Sequence, residues 1–232
     1  MAQPRALLAD PRGLGLPQTE RALAGFCAVL AEAPWTITSA DLEPLRAAGL
    51  SDASVLHAVA LSSFFNYLNR VADAVDIEFD YESPLPRISR VEREPLVRPE
   101  RSDWPRRPPP LAMKLSERPG TLEPFVRWRA YVLERDAPLS RRDRRVLARA
   151  AAAALCDAEG VGTLDDGAPR DRREETLAAF STTLTAAPWR LDAARLEQLR
   201  ALGLDDAGLL DAISVASFQN TASRLNLVLA EV

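Results

Sequence analysis

The sequence has very few of the side chains from which redox and metal sites are usually built. It contains 2 cysteines, Cys27 and Cys156, and a single histidine, His57. The cysteines lie too far apart in the chain to form a CxxC pair, and one histidine cannot supply a histidine-based metal site. We therefore expect no metal ion, and no motif predicts a bound cofactor.

Long apolar runs and an excess of positive charge are also missing. No run of about 18 apolar residues could cross a bilayer, and the N-terminal segment lacks the apolar core of a secretory signal. The 29 Lys and Arg are outnumbered by 33 Asp and Glu, which gives a net charge of -4 and argues against general nucleic-acid binding. We therefore expect a cytoplasmic protein with no membrane and no nucleic-acid partner.

The strongest positive feature is an internal repeat. Residues 20–78 align with residues 174–232 at a constant offset of 154 without a gap, and roughly two in five positions are identical. The shared positions include Pro34-Trp35 with Pro188-Trp189, Gly49-Leu50 with Gly203-Leu204, and Ser63-Phe64 with Ser217-Phe218. This pattern predicts a duplicated helical unit.

Each copy reads as three helices. The first covers about residues 18–33 and ends before Pro34, because a proline disfavours helical backbone in the residue that precedes it. Thr38 and Asp41 have the spacing of a capping box at the start of a short second helix, and Gly49 suits its left-handed end. A long third helix then runs from Ser51 or Asp52 toward residue 74.

The middle of the chain has a different composition. Nine prolines between residues 84 and 119 predict an extended connector, either a free linker or a strap that packs through Trp104, Leu111 and Met113. Two more helices follow from residue 121, the second starting at Leu139-Ser140. No segment alternates like a strand, so we predict an all-α chain with an N-terminal half unit (1–83), a proline-rich connecting strap (84–120) and a complete C-terminal unit (121–232).

Three segments resemble one known family. Residues 64–74, FFNYLNRVADA, resemble the FNxxNRxAxALG signature of the peroxidase-related branch of the alkylhydroperoxidase D-like, or carboxymuconolactone decarboxylase, superfamily. Residues 45–52 and 139–144 are similar to that branch's LRAAGxSD and LSxRER segments, and together the similar parts cover about three quarters of the chain. The resemblance implies an alkylhydroperoxidase D-like helical bundle, here with an internal duplication, and a symmetric homo-oligomer, most simply a dimer.

The catalytic motif of that family is degenerate in this chain. The family reduces hydroperoxides with a CxxC dithiol that is preceded by a glutamate and followed by a histidine on the catalytic helix. The first copy lacks this catalytic half altogether. In the second copy the matching residues are Arg145 for the glutamate, Asp157 and Gly160 (or, shifted by one, Cys156 and Glu159) for the cysteines, and Thr163 or Leu164 for the histidine.

Cys156 is the one catalytic candidate that the resemblance leaves. Its place at the end of an alanine-rich helix, beside Asp157 and Glu159, predicts a raised pKa of the thiol and an unreactive side chain. No resolving cysteine lies at CxxC spacing, so a dithiol cycle cannot close locally. The alternative is a single-cysteine peroxidase that an external thiol reduces.

Polar residues on the third helix form the second candidate site. Ser63, Asn66 and Arg70 are three and four residues apart and therefore share one helical face, with Asn69 beside them. The face recurs in the second copy as Ser217, Asn220 and Arg224. Because buried polar groups must be hydrogen-bonded, one hypothesis is a structural network. The other is the polar lining of a pocket between the copies, where an arginine meets a small anionic ligand.

Two functions of different class follow from these observations. The first is a homologue that has lost the CxxC dithiol site, is either non-redox or attenuated, and acts as a helical assembly or ligand-binding scaffold. The alternative is a hydroperoxide-reducing oxidoreductase that uses Cys156. The arginine-rich run at residues 141–145 is interpreted as a solvated helical face, with attraction of a phosphate or an acidic partner as its alternative.

Overall fold

The structure is a computed structural model that describes residues 16–77, 96–105, 115–116, 119–229 and 231–232. Within these residues the regular structure consists of nine α-helices and four short 3₁₀ turns, without a strand, so the predicted all-α class is confirmed. The helices are α1 (Gln18–Glu32), α2 (Ser39–Ala47), α3 (Asp52–Val75), α4 (Pro119–Leu133), α5 (Arg141–Ala154), α6 (Ala158–Thr163), α7 (Arg172–Ala186), α8 (Ala193–Ala201) and α9 (Asp206–Leu229).

The internal duplication is visible in the bounds of the helices. Helices α1, α2 and α3 begin and end at positions equivalent to those of α7, α8 and α9, each shifted by 154 residues. The 3₁₀ turns Pro34–Thr36 and Pro188–Arg190 match in the same way. Gly49 and Gly203 also adopt the same left-handed backbone, with φ of 88° and 87°. The two copies therefore share one local fold.

Local signals in the sequence explain where these helices start. Thr38 and Asp41 form the predicted capping box, in which the Asp41 carboxylate accepts a hydrogen bond from the Thr38 backbone N–H at 2.8 Å. The Ser51 hydroxyl caps α3 by accepting from the Ser54 N–H at 3.2 Å. In the second copy Asp192 caps α8 through the Arg195 N–H at 2.9 Å.

The long helices α3 and α9 pack against each other at the centre of the molecule. Helix α9 is buried along almost its whole length because it also contacts α5 and α7. One apolar cluster surrounds α9 with Leu147 of α5 and Phe180 of α7, among other side chains. The other lies in the first repeat, around Leu30 and Val59, and is completed by Val228 near the end of α9. The core of the first repeat therefore depends on the second.

The prediction of a solvated face at residues 141–145 was wrong for Arg144, whereas Arg141 is exposed. The Arg144 side chain is fully buried and forms a two-point ion pair with Asp211 of α9. Arg142 pairs with Glu174 of α7 at 2.5 Å, and Arg145 pairs with Asp166 at 2.6 Å. These carboxylates lie 21 to 67 residues away in the sequence, and the run serves to hold α5 against α7 and α9.

The connector is described only in part. Residues 96–105 include a 3₁₀ turn, Arg101–Asp103, and Trp104 is half-buried with its indole N–H donating to the Pro99 carbonyl at 3.1 Å. Leu111 and Met113, the other predicted contacts of the strap, lie outside the described residues. Helix α4 begins at Pro119, just before the predicted end of the strap. The short helix α6 was not predicted.

No single helix among the described residues has both the length and the hydropathy of a membrane span. Helices α2 and α3 reach that length and composition only as a pair, and they are bent by 115° relative to each other.

Candidate functional site

A cavity of about 300 Å³ lies where the two repeats meet. Its walls contain repeat-equivalent pairs of residues: Ala31 and Thr185, Glu32 and Ala186, Trp35 and Trp189, and Arg70 and Arg224. A site to which both copies contribute equivalent residues corresponds to the axis of a two-fold dimer. The cavity therefore has the position of a ligand site at a domain junction.

Arg224 forms the buried floor of this cavity. Its guanidinium donates to the Leu30 carbonyl at 3.0 Å and to the Ala31 carbonyl at 2.7 Å, both in the first repeat, and also to the Asn220 side-chain oxygen. No carboxylate of the described residues pairs with it. Burial and the nearby positive charge of Arg70 lower the pKa of Arg224. A guanidinium charge is thus held in the interior by neutral acceptors.

Arg70 makes the reciprocal contact from the first repeat. Its guanidinium donates to the Thr185 carbonyl at 3.3 Å and to the Asn66 side-chain oxygen at 3.2 Å. Thr185 is the repeat equivalent of Ala31, so each arginine binds the carboxyl-terminal turn of the opposite copy's first helix. The two arginines hold the repeats together and line the cavity at the same time.

The remaining predicted polar residues lie elsewhere. Ser63 and Ser217 are fully buried, and the Thr221 hydroxyl donates to the Ser63 carbonyl at 2.9 Å. Neither serine lines the cavity, and in the part of the chain that the structure describes their hydroxyls have no hydrogen-bond partner. Asn69 is exposed and lies off the shared face. Asn66 and Asn220 position the two arginines.

Three further arginines surround the cavity mouth. Arg98, Arg190 and Arg195 are exposed and come from the connector, from a 3₁₀ turn and from α8. With Arg70 and Arg224, five of the described lining residues are arginine and one, Glu32, is acidic. The half-buried Trp35 and Trp189 supply aromatic walls. The sequence did not predict that these three outer arginines or the two tryptophans line a site. The repeated Pro-Trp dipeptide was a usable signal for the tryptophans.

Cys156 is a fully buried thiol between α5 and α6. Burial raises its pKa to about 11, and the positive charge of Arg98 opposes this shift. The sequence correctly predicted that the pKa of Cys156 is raised, but the cause is burial and not the acidic neighbours. With this pKa about one molecule in 10⁴ carries the thiolate at pH 7. Cys156 is not among the described lining residues of the cavity between the repeats.

The positions that correspond to the family's dithiol form the start of α6. The Asp157 carboxylate caps this helix by accepting from the Gly160 N–H at 2.9 Å, and it also accepts from the Asn226 amide at 3.2 Å. A Cβ at Gly160 would lie 2.3 Å from Asp157 Oδ2. Burial raises the pKa of Asp157, and its hydrogen bonds oppose the shift. With Asp157 capping the helix in this way, position 160 accepts glycine and no larger side chain.

A second cavity of about 270 Å³ lies beside α6 and α9 and is lined largely by apolar side chains, Phe125 and Phe218 among them. It lacks a cluster of like charges, since Arg129 and Glu159 are its charged lining residues among those described. The described residues also contain no group of three or more His, Cys, Asp or Glu side chains that could hold a metal ion.

Comparisons of this chain with protein-family models, with curated proteins and with solved structures found no match. The resemblance to the alkylhydroperoxidase D-like superfamily therefore stays a prediction that is carried by the sequence motifs alone.

Proposed function

We propose that this protein is a helical scaffold without a redox site, of alkylhydroperoxidase D-like ancestry, which binds a small organic anion between its two repeats. The observation that carries the proposal is the 300 Å³ cavity with five lining arginines and one lining carboxylate among the described residues. The ligand class that fits best is an aromatic carboxylate.

The charge of the cavity floor supports an anion. Removing a guanidinium from water costs several kcal/mol, and hydrogen bonds to neutral carbonyls satisfy its N–H groups without balancing its charge. Arg224 is in this situation, because its partners are Leu30, Ala31 and Asn220. A carboxylate that enters the cavity supplies the missing negative charge, and the planar guanidinium fork binds carboxylates at two points.

The two tryptophans and the volume support an aromatic body. Trp35 and Trp189 face the same space from the two repeats, and an aromatic contact contributes about 0.5–1.5 kcal/mol beyond the area it buries. A volume of about 300 Å³ corresponds to roughly ten water molecules, which suits a ligand the size of benzoate. The described walls contain neither cysteine nor histidine, and the proposal is therefore binding and not turnover.

Isothermal titration calorimetry with benzoate, acetate and phosphate tests the proposal. We expect benzoate to bind more tightly than acetate, and its affinity to fall with added salt because the rim charges are exposed. Replacing Arg195 by glutamine removes one rim charge and is expected to weaken benzoate about threefold to tenfold. Arg200→Gln is the matched control, since this exposed arginine of the same helix pairs with Asp206 away from the cavity.

Three results would contradict the proposal: no binding of any of the three anions, equal affinity for benzoate and acetate, or equal loss in Arg195→Gln and Arg200→Gln. A Trp35→Leu variant separates the two parts of the argument. It is expected to weaken benzoate while leaving acetate unchanged, because only the aromatic ring uses that wall.

The statement that the site is not redox-active has its own test. Loss of free thiol is followed after adding cumene hydroperoxide to the native protein at neutral pH, with Cys156→Ser and Cys27→Ser as controls. We expect a rate no higher than that of free cysteine, because the Cys156 thiol is buried with a pKa of about 11. A fast loss that only Cys156→Ser abolishes would instead establish the hydroperoxide-reducing alternative.

A further inference from the structure

The second cavity, beside α6 and α9, has an aromatic wall. Phe125 of α4 and Phe218 of α9 both line it, and their ring centroids lie 5.8 Å apart with the ring planes 29° from parallel. Leu122 and Leu164 extend this apolar wall. The volume of about 270 Å³ exceeds the roughly 150 Å³ that is enough to hold benzene. The cavity therefore has room for a ligand with one aromatic ring.

Two amide side chains of α9 supply the polar part of the wall. Gln219 is 5% exposed and Asn226 is half-buried, and both line the second cavity. They are seven residues apart, which is about two helical turns, and therefore lie on one face of α9. Since an unmade hydrogen bond of a buried polar group costs free energy, the remaining hydrogen-bonding capacity of these amides determines which ligands fit.

The nitrogens of both amides are already engaged. Asn226 Nδ2 donates to the Asp157 carboxylate at 3.2 Å. The Ser223 hydroxyl also forms a hydrogen bond to Asp157, which leaves the Ser223 oxygen to accept from Gln219 Nε2 at 3.0 Å. Asp157 is 1% exposed, so the residue that fixes the orientation of both amides is itself held in the interior.

The oxygens of the two amides remain available. Within the described part of the chain, neither Gln219 Oε1 nor Asn226 Oδ1 accepts a hydrogen bond. Gln219 Oε1 is also not among the unpartnered atoms that the protein encloses completely, so this oxygen is accessible from the cavity that Gln219 lines. An amide oxygen only accepts hydrogen bonds. The cavity therefore requires a donor from its ligand.

The charges at this cavity favour a neutral ligand. Its charged lining residues among those described are Arg129 and Glu159, which have opposite signs. Arg129 also lies within 3.9 Å of the Glu134 carboxylate. An ion would therefore find no excess of opposite charge here, in contrast to the cavity between the repeats.

We propose that the second cavity binds a small neutral aromatic molecule with a hydroxyl donor, that is, a phenol. The ring of the ligand packs against Phe125 and Phe218, and its hydroxyl donates to Gln219 Oε1. A hydrogen bond to an oriented, largely buried acceptor distinguishes this ligand from an aromatic molecule without a donor. The inference does not depend on anion binding between the repeats.

Isothermal titration calorimetry with phenol and anisole tests the hydrogen bond. Anisole has a methyl group in place of the hydroxyl hydrogen, so apolar burial alone would favour anisole. We expect phenol to bind about threefold to tenfold more tightly instead. Gln219→Met keeps a side chain of similar length without the acceptor and is expected to abolish this preference. Gln198→Met is the matched control, because Gln198 is exposed on α8 and lies outside the described cavity lining.

The indole N–H signal of Trp128 locates the ligand in the native protein, and this measurement remains possible if Gln219→Met fails to fold. Trp128 packs edge-to-face against Phe218 and Phe125, with ring centroids 4.7 and 6.5 Å apart. In ¹H–¹⁵N correlation spectra we expect phenol to shift the Trp128 signal to saturation, with a dissociation constant of about 1 mM or lower.

Several results would overturn the proposal. Anisole that binds at least as tightly as phenol does so, as does a preference for phenol that survives in Gln219→Met. A Trp128 signal that does not move up to about 10 mM phenol also does so. Phenol that shifts only the signals of Trp35 and Trp189 would occupy the cavity between the repeats and not this one. None of these results decides whether benzoate binds between the repeats, so the two sites are tested separately.

Discussion

The ion pair between Arg144 and Asp211 gives the sharpest stability prediction. Asp211 accepts two hydrogen bonds from Arg144, one from Arg135 at 3.3 Å and one from the Leu139 N–H at 3.2 Å. The Asp211→Ala variant leaves the buried guanidinium of Arg144 without its carboxylate. Breaking a buried pair by removing one partner costs about 3–5 kcal/mol, which in a chain of this length lowers the melting temperature by roughly 6–20 °C.

Urea unfolding, followed by circular dichroism, measures this cost as a change in midpoint at constant m-value. The control is Gln198→Ala, because Gln198 is exposed on α8. We expect this control to change the free energy of unfolding by less than about 0.5 kcal/mol. A cost below about 1 kcal/mol for Asp211→Ala, or equal costs for the two variants, would refute the reasoning.

A double-mutant cycle separates the pair from its surroundings. Arg144 also donates to the carbonyls of Val132 at 2.7 Å, Ala137 at 3.0 Å and Leu139 at 3.2 Å, and Arg144→Met leaves these three carbonyls without this donor. The double variant Arg144→Met with Asp211→Ala is therefore expected to recover only part of the loss. We expect a coupling energy of about 2 kcal/mol or more between the two positions.

Three further predictions concern single residues. Gly49→Ala is expected to lower the free energy of unfolding by about 1–2 kcal/mol, because φ is 88° at this position. Gly25→Ala, in the middle of α1, is expected to raise it by about 0.5–1 kcal/mol, because a Cβ added there meets open space. Urea unfolding measures both changes. Iodoacetamide should alkylate Cys156 at least about 100-fold more slowly than free cysteine, by mass spectrometry at pH 8. The pKa of the Cys156 thiol is near 9.0 in the unfolded chain and about 11 in the folded protein, so the free energy of unfolding falls as the pH rises between these values. Cys156→Ser should remove up to about 2.7 kcal/mol of that fall, as measured by urea unfolding at a series of pH values.

The helices of the two repeats could be predicted because short-range signals determine their ends. Pro34 ends α1, the Thr38 capping box starts α2 and Gly49 ends it, and each signal acts within a few residues. The capping residues Ser51 and Asp192 act over the same short range. Because the repeat aligns without a gap, the helix bounds predicted for one copy also apply to the other.

The partners of the charged residues could not be predicted in this way. Arg144 lies in a run of like charges, and the sequence does not indicate that Asp211 meets it 67 residues later. The outer arginines of the cavity come from three segments, so no local pattern connects Arg98 with Arg190 and Arg195. Arg70 and Arg224 could be predicted as site residues because each shares a helical face with an asparagine four residues earlier, and the same spacing occurs in both copies.

Binding of an aromatic anion between the repeats is tested most directly by the indole N–H signals of the protein in ¹H–¹⁵N correlation spectra. The chain contains 4 tryptophans, and four single Trp→Phe variants assign their indole N–H signals. Trp35 and Trp189 line the cavity, whereas Trp104 and Trp128 lie outside it. On titration with benzoate we predict that the signals of Trp35 and Trp189 shift together and saturate while the other two stay in place. Signals that all remain unchanged, or a saturating shift confined to Trp104 or Trp128, would contradict the site.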